Sequence, residues 1–222
     1  MTTIAVMQPY FSPYAGYFRL MVESDIFVLY DCVQFPRRGW VHRNRFSTAS
    51  GDSTWLTLPI KKAPQKTPIH QLEFNVHAQK TWSTRLEKFA HLRSNERSEG
   101  WMELSILANT PTDFIERTLL WSASKLGIQT RFIRSSTLNV PESLRGEDRI
   151  LHIVKSLGGS RYINASGGVG LYDPTHFKAH NISLKFLSSY TGAYSPIFER
   201  LLLESPAQIR VEIDANCIYQ EL

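Results

Sequence analysis

Large apolar side chains recur along this chain in two rhythms: short unbroken runs, and stripes spaced three and four residues apart. Residues 3–8 make the first run, too short for a helix and apolar enough for a buried strand, and residues 26–30 (IFVLY) make a second. Between them Tyr14, Tyr17, Phe18 and Met21 fall at i, i+3, i+4 and i+7, which predicts a helix that buries one face. Ser12 suits the N-cap of that helix and Pro13 its first position. Strand, helix and strand in this order predict a parallel crossover.

The two rhythms alternate through the rest of the chain. Residues 55–60 read as a strand, and residues 69–76 alternate loosely enough to be another. Trp82, Leu86, Phe89 and Ala90 share a helical face, with Thr84 and Glu87 spaced as a capping box. Phe114, Ile115, Leu119 and Leu126 predict a longer helix that Gly127 ends. Residues 129–133 read as a strand, and Ile150, Ile153, Val154 and Leu157 as an amphipathic helix stopped by Gly158 and Gly159. Tyr162 with Ile163, and then residues 182–187, complete the strands. The expected fold is α/β: a Rossmann-like, mostly parallel sheet with helices on both faces. One domain over residues 1–222, with a helical insertion around 78–125, accommodates every element.

Composition adds little to that picture except sign of charge. The chain has 222 residues, 42% hydrophobic and 20% charged, as in an ordinary globular protein. No run approaches the ~18 apolar residues of a membrane span. No basic residue precedes Ile4, and Gln8 and Pro9 end the first apolar run at once, so no signal peptide is expected. Cys32 and Cys217 have no metal-type spacing and are too few for a disulfide scaffold, and a cytoplasmic location is the expectation. The net charge is +5, and it is concentrated: residues 33–72 hold seven Lys and Arg against Asp52 alone. Such a field favours anionic partners.

Candidate chemistry follows the strand ends. "QPYFSPYAG" after the first strand presents backbone N–H groups to an anion, or is an aromatic packing corner. Gly16 inside the helix lets a ligand or a neighbouring backbone approach. After the second strand, "YDCVQFPRRGWVHRNRF" combines Asp31 and Gln34 with Arg37, Arg38, His42, Arg43, Asn44 and Arg45, where arginines offer bidentate contacts to phosphate or carboxylate. Phe35, Trp40 and Phe46, interleaved with them, are candidates to stack on a base or sugar. "SGGVG" at residues 166–170 is a second close-approach turn, though it matches neither dinucleotide fingerprint nor P-loop. No histidine spacing suggests a metal, and no G-x-S-x-G occurs.

Four stretches, "IAVMQPYFSPYAGYFRL", "DIFVLYDCVQFPRRGWVHRNRF", "WLTLPIKK" and "LGGSRYINASGGVGLY", together resemble the WbqC-like proteins. The resemblance implies a place in surface-polysaccharide (O-antigen, lipopolysaccharide) synthesis, and it marks Gln8, Pro9, Pro13, Gly16, Tyr17, Asp31, Gln34, Arg43, Asn44, Arg45, Trp55, Pro59, Ser166 and Gly167. Cys32 stands at a place that varies in the family, and His42 at one where Asn is common. The C-terminal "VEIDANCIYQEL" departs from the family's hydrophobic ending.

The expected function is a transferase, moving an acyl or aminoacyl group from a thioester to the amino group of a nucleotide-linked amino sugar. A glycosyltransferase using the same pocket, or a non-catalytic nucleotide-sugar or nucleic-acid binding module, are the alternatives. Asp31 is the expected base, with Gln34 and Asn44 holding the sugar or a developing oxyanion. Gln8, Tyr10, Tyr14, Gly16, Tyr17, Arg38, His42, Arg43, Arg45, Ser166, Gly167 and Gly168 are the expected substrate contacts. No tightly bound cofactor or metal is expected; CoA or a phosphopantetheinyl thioester would serve as co-substrate. The partners expected are the nucleotide-linked sugar and an acidic acyl or aminoacyl carrier protein, without nucleic acid. The stretches 8–17, 31–45 and 164–172 should then meet in one cleft.

Overall fold

The computed structural model describes residues 1–89, 92 and 99–220. Strands β1 (Thr3–Met7), β2 (Ile26–Leu29), β5 (Arg131–Arg134), β6 (Arg161–Asn164) and β7 (Ser183–Phe186) form a five-stranded sheet in the order β5-β2-β1-β6-β7. Every neighbouring pair in it runs parallel. The remaining strands, β3 (Arg43–Ser47) and β4 (Ser53–Thr57), make an antiparallel hairpin in register from Arg43 opposite Thr57 to Ser47 opposite Ser53.

Helices cover both sheet faces, which explains why the strands carry apolar runs rather than alternation. Ala5, Phe27, Leu29 and Ile163 point to one face, into a core shared with α1 (Ala15–Val22), α2 (Ala78–Leu86), α3 (Glu99–Ser105), α4 (Pro111–Lys125) and, from the C-terminal part, α7 (Ile197–Leu203) and α8 (Pro206–Ala215). Ile4, Val6, Ile26, Val28 and Tyr162 point to the other, against α5 (Gly146–Ser156) and α6 (Pro174–Ala179). Among the described residues no helix is long and apolar enough to cross a membrane.

Local chemistry accounts for the boundaries. Helix α4 starts at a reciprocal cap: Thr110 Oγ1 accepts from Asp113 N at 3.1 Å while Asp113 Oδ2 accepts from Thr110 N at 3.2 Å. It stops at Gly127, whose φ of +65° turns the chain back so that Ile128 N–H reaches Ala123 O at 2.9 Å.

Several expectations need correction. The pair Thr84 and Glu87 caps nothing: Thr84 lies inside α2, its hydroxyl bonded to Lys80 O at 3.1 Å. Ala90 lies outside the described residues. Residues 69–76 form a 3-10 turn (Ile69–Gln71) and an irregular stretch bridged at Phe74 to Ile60, because the loose alternation lacked a ladder partner. Residues 43–47, for which no strand is predicted above, pair as β3, since Asn44 and Phe46 alternate inward. Ser12 does not cap α1. Its φ is +48°, and its hydroxyl instead accepts from Phe198 N at 3.2 Å, capping α7 from 186 residues away. Helix α1 begins after Tyr14 with no side-chain cap.

Candidate functional site

In the order β5-β2-β1-β6-β7 the chain leaves β1 for α1 on one face and leaves β6 for α6 on the other, so a crevice opens where their carboxyl ends diverge. A cavity of about 310 Å3 occupies that place. Met7, Gln8, Pro9 and Tyr10 from the end of β1, and Ala165 from the end of β6, form its floor; Tyr14 with Gly16, Tyr17 and Leu20 of α1 forms one wall, and Pro36, Gly39, Trp40 and Val41 the other. A second, wider cavity of about 680 Å3 continues outward past Tyr10, Tyr14 and Trp40, which line both. Asn44, Arg45 and Ser47 of β3, Ser53 of β4, and Tyr194, Ser195 and Pro196 enclose it.

The rings explain the opening's shape. Tyr10 meets Tyr17 edge-on at 6.0 Å and Trp40 at 5.6 Å, and Phe11 N–H donates to Trp40 O at 3.1 Å, so the β1 turn and the 36–41 loop hold each other. Trp40 in turn lies 5.3 Å from Trp55, and each stays nearly half exposed. The Arg43 guanidinium sits 4.4 Å over the Trp55 ring and that of Arg45 6.0 Å from it, so Arg45, which lines the wider cavity, is backed by a ring and a second cation. Tyr14 is sandwiched by Tyr194 at 4.8 Å and Tyr190 at 5.3 Å. Gly16 is required here: a Cβ would stand 2.3 Å from the Tyr14 ring and 2.6 Å from Tyr190. The close approach expected of Gly16 is therefore made by two tyrosine rings.

Asn44 stitches the outer floor. It is buried, its amide nitrogen donates to Ser12 O at 2.6 Å, and its carbonyl accepts from Arg45 N at 2.8 Å. Ser47 N–H donates to buried Glu199 at 3.0 Å, and Ile197 N–H to Pro13 O at 2.7 Å, joining hairpin, β1 turn and α7. With both amide ends committed, Asn44 acts as a support.

Burial lifts the phenols of Tyr10, Tyr14 and Tyr17 above their ordinary pKa of 10, so at neutral pH they are uncharged rings and donors, not bases. Tyr17 spends its hydroxyl on Gln8 O at 2.9 Å. His42 is buried, edge-on to Phe35 at 5.0 Å, with Nδ1 unpartnered. Burial, then the charges of Arg43 and Arg85, push it down to about 4. It is neutral at physiological pH and lines neither cavity.

The expected base is placed elsewhere. Asp31 is fully buried, and its carboxylate accepts from Ser135 Oγ at 3.0 Å, Ser136 N at 2.8 Å and Ser136 Oγ at 2.7 Å. It pins the end of β2 to the turn that follows β5 and lines neither of these two cavities, so its carboxylate is spent on structure rather than turned toward them as the expected base would be. Gln34 is exposed, bridges to Pro68 and lines neither cavity, so it holds no substrate oxyanion there. Arg38 is exposed, with its carbonyl accepting from Arg43 Nη2 at 3.0 Å. Phe35 and Phe46 belong to the core rather than to a stacking surface, Phe46 turned inward by β3; Trp40 alone of the three is exposed. Ser166 and Gly167 follow Ala165 in a 3-10 turn, half-buried and exposed, and Gly168 is buried where a Cβ would meet the Asn164 amide at 2.7 Å. That turn reaches the cavity through Ala165.

Of the three expected stretches, 8–17 lines the crevice from Gln8 to Tyr17, 31–45 only from Pro36 onward, and 164–172 through Ala165 alone. Sequence reasoning missed Ser47, Ser53, Tyr194, Ser195 and Pro196. For the last three a signal existed: "YTGAYSP" sets two tyrosines in a Gly-, Ser- and Pro-containing turn.

The family model of the WbqC-like protein family matches residues 8–200. An uncharacterised protein of Mycobacterium tuberculosis (strain ATCC 25618 / H37Rv), Rv1507c, is 24% identical over 198 residues, covering 86% of this chain and 84% of that one. No solved structure matches significantly.

Proposed function

The chain belongs to the WbqC-like protein family, and from that premise we propose a transferase of surface-polysaccharide precursor synthesis that acylates the amino group of a nucleotide-linked amino sugar. The observation that carries the reading is the make-up of the crevice: rings and Arg45 in its lining, Arg43 stacked on Trp55 beside it, and no carboxylate or imidazole among the described lining residues. The rings suit a base or a sugar face, and the guanidiniums suit a diphosphate.

A lining without a strong base suits an amine nucleophile better than a hydroxyl. An amine that titrates at about 8 is already about one-tenth neutral at pH 7. It attacks the thioester carbonyl carbon, the C–S bond breaks, and the thiol leaves with the proton that nitrogen loses. Positioning then supplies most of the acceleration. A sugar hydroxyl, the nucleophile of glycosyl transfer, would need a base that the lining does not supply. The donor is CoA or a phosphopantetheinyl thioester, and no resident cofactor takes part.

Titration calorimetry with a panel of nucleotide sugars, followed by mass spectrometry after addition of acyl-CoA, tests this. Binding of amino-sugar nucleotides and a mass gain of one acyl group are expected. Absence of binding across the panel would refute the reading.

A further inference from the structure

The segment that forms the crevice's outer wall carries charge far beyond what a small ligand needs. Residues 33–72 hold seven Lys and Arg and one acid, a net of +6, while the whole chain is +5; all other residues therefore sum to −1. Elsewhere several cations are matched by carboxylates, as in Arg134 with Asp113 and Glu116, or Arg200 with Glu204 and Glu212. Within 33–72 the ion pair shown by the described residues is Lys61 with Glu73.

Arg37, Arg38, Lys62 and Lys66 are exposed and line neither cavity. They belong to one face, since Arg37 Nη2 crosses to Ala63 O at 2.6 Å and Arg43 Nη2 reaches Arg38 O at 3.0 Å. Like charges held together without counter-charges cost stability, so the arrangement points to a partner that neutralises them. A diphosphate at the mouth needs only Arg43 and Arg45. The exposed rings, Trp40 and Trp55, stand with those two arginines beside the cavity rather than among the outlying cations, which argues against a nucleic-acid strand threaded along stacking rings.

We propose that this face docks an acidic protein, which brings a thioester arm to the crevice mouth. The cargo rests on the transferase reading; the docking rests on the charge alone. The test is calorimetry with an acidic acyl carrier protein bearing its phosphopantetheine arm, a single-stranded oligonucleotide, and a nucleotide amino sugar as separate probes. The wild-type chain should bind the carrier. Arg37→Glu combined with Lys62→Glu and Lys66→Glu should weaken that binding by about tenfold or more, and rising salt should do likewise, while nucleotide-sugar affinity stays within about twofold. Lys62→Gln with Lys66→Gln, a milder change, should fall between. No carrier binding, equal binding by the reversed variant, or tighter binding of the oligonucleotide would overturn the proposal. Carrier binding without any sugar-nucleotide binding would leave the docking face standing and remove the transferase reading.

Discussion

The ends of β1 and β2 lie side by side in the sheet, and both hand over to polar, ring-rich sequence, yet they do opposite work. The end of β1 opens into the crevice and lines it with Gln8, Tyr10, Tyr14 and Tyr17. The end of β2 turns Asp31 inward, where two serines and a backbone N–H of the turn after β5 consume its carboxylate. A carboxylate at a strand's carboxyl end is therefore not a site residue by position. What matters is where the side chains after the strand are spent: those after β1 line the crevice where β1 and β6 diverge, whereas Asp31 turns to the serines after β5. Changes at the β2 end should cost stability, and changes at the β1 end should cost affinity.

Asp31→Ala gives the largest expected effect. It strands three donors in a buried place, and hydrogen bonds to a charged acceptor are each worth about 1.5–3 kcal/mol, so a loss of about 3 kcal/mol or more is expected in chemical denaturation. Nucleotide-sugar affinity of the folded fraction should be unchanged. Full stability with abolished turnover would break the comparison and return Asp31 to catalysis.

At the other end, Arg45→Ala should weaken nucleotide-sugar binding by about 1.5–3 kcal/mol with the unfolding midpoint nearly unmoved, since it is exposed, and Trp40→Ala by about 1–3 kcal/mol with a smaller loss of stability than Asp31→Ala. Wild-type affinity in both variants would take the ligand out of this crevice. Gly16→Ala joins the two behaviours: its methyl must displace Tyr14 and Tyr190, an overpacking of about 1–3 kcal/mol, so stability and affinity should fall together.

His42 adds a pH-dependent contrast. Its folded pKa, about 4, lies below its ordinary 6.5. Below about 6.5 the unfolded chain takes up a proton that the folded chain refuses until about 4, so the associated stability is full above 6.5 and drains away between those values. His42→Gln should flatten that part of the stability curve. An unchanged slope would place the titrating group elsewhere.

Much of the parallel sheet was legible because buried strands write continuous apolar runs, and α4 because its stripe ends at a glycine that must take positive φ. The hairpin strand Arg43–Ser47 was not, since its two inward residues, Asn44 and Phe46, sit among arginines that read as loop. Half the site was visible for the same local reasons: the rings after β1 and the arginines of β3 are adjacent in sequence to strand signals. Tyr194 and Pro196 were not placed: the turn "YTGAYSP" marks them as a turn, but nothing local says that it meets Tyr14, about 180 residues upstream. Asp31 misled for a related reason: the serines that consume it stand 104 and 105 residues downstream.

Ser12 is the smallest test and the sharpest, because it belongs to the β1 end yet serves as structure. It combines two opposed terms. Its hydroxyl accepts Phe198 N–H at the start of α7, a cap worth about 0.5–2 kcal/mol. Its φ of +48° costs a residue with a Cβ about 1–2 kcal/mol, a penalty that glycine escapes. Ser12→Ala loses the cap and keeps the strain, so a stability loss of about 1 kcal/mol is expected, with a buried N–H left unpaired. Ser12→Gly loses both, and should unfold within about 0.5 kcal/mol of the wild-type chain. Both variants should bind the nucleotide sugar normally, since Ser12 lines neither cavity. If Ser12→Gly were as unstable as Ser12→Ala, the positive φ would not be a cost that the cap offsets. If either variant lost affinity at full stability, Ser12 would act on the ligand, and the division between the two strand ends would have to be drawn elsewhere.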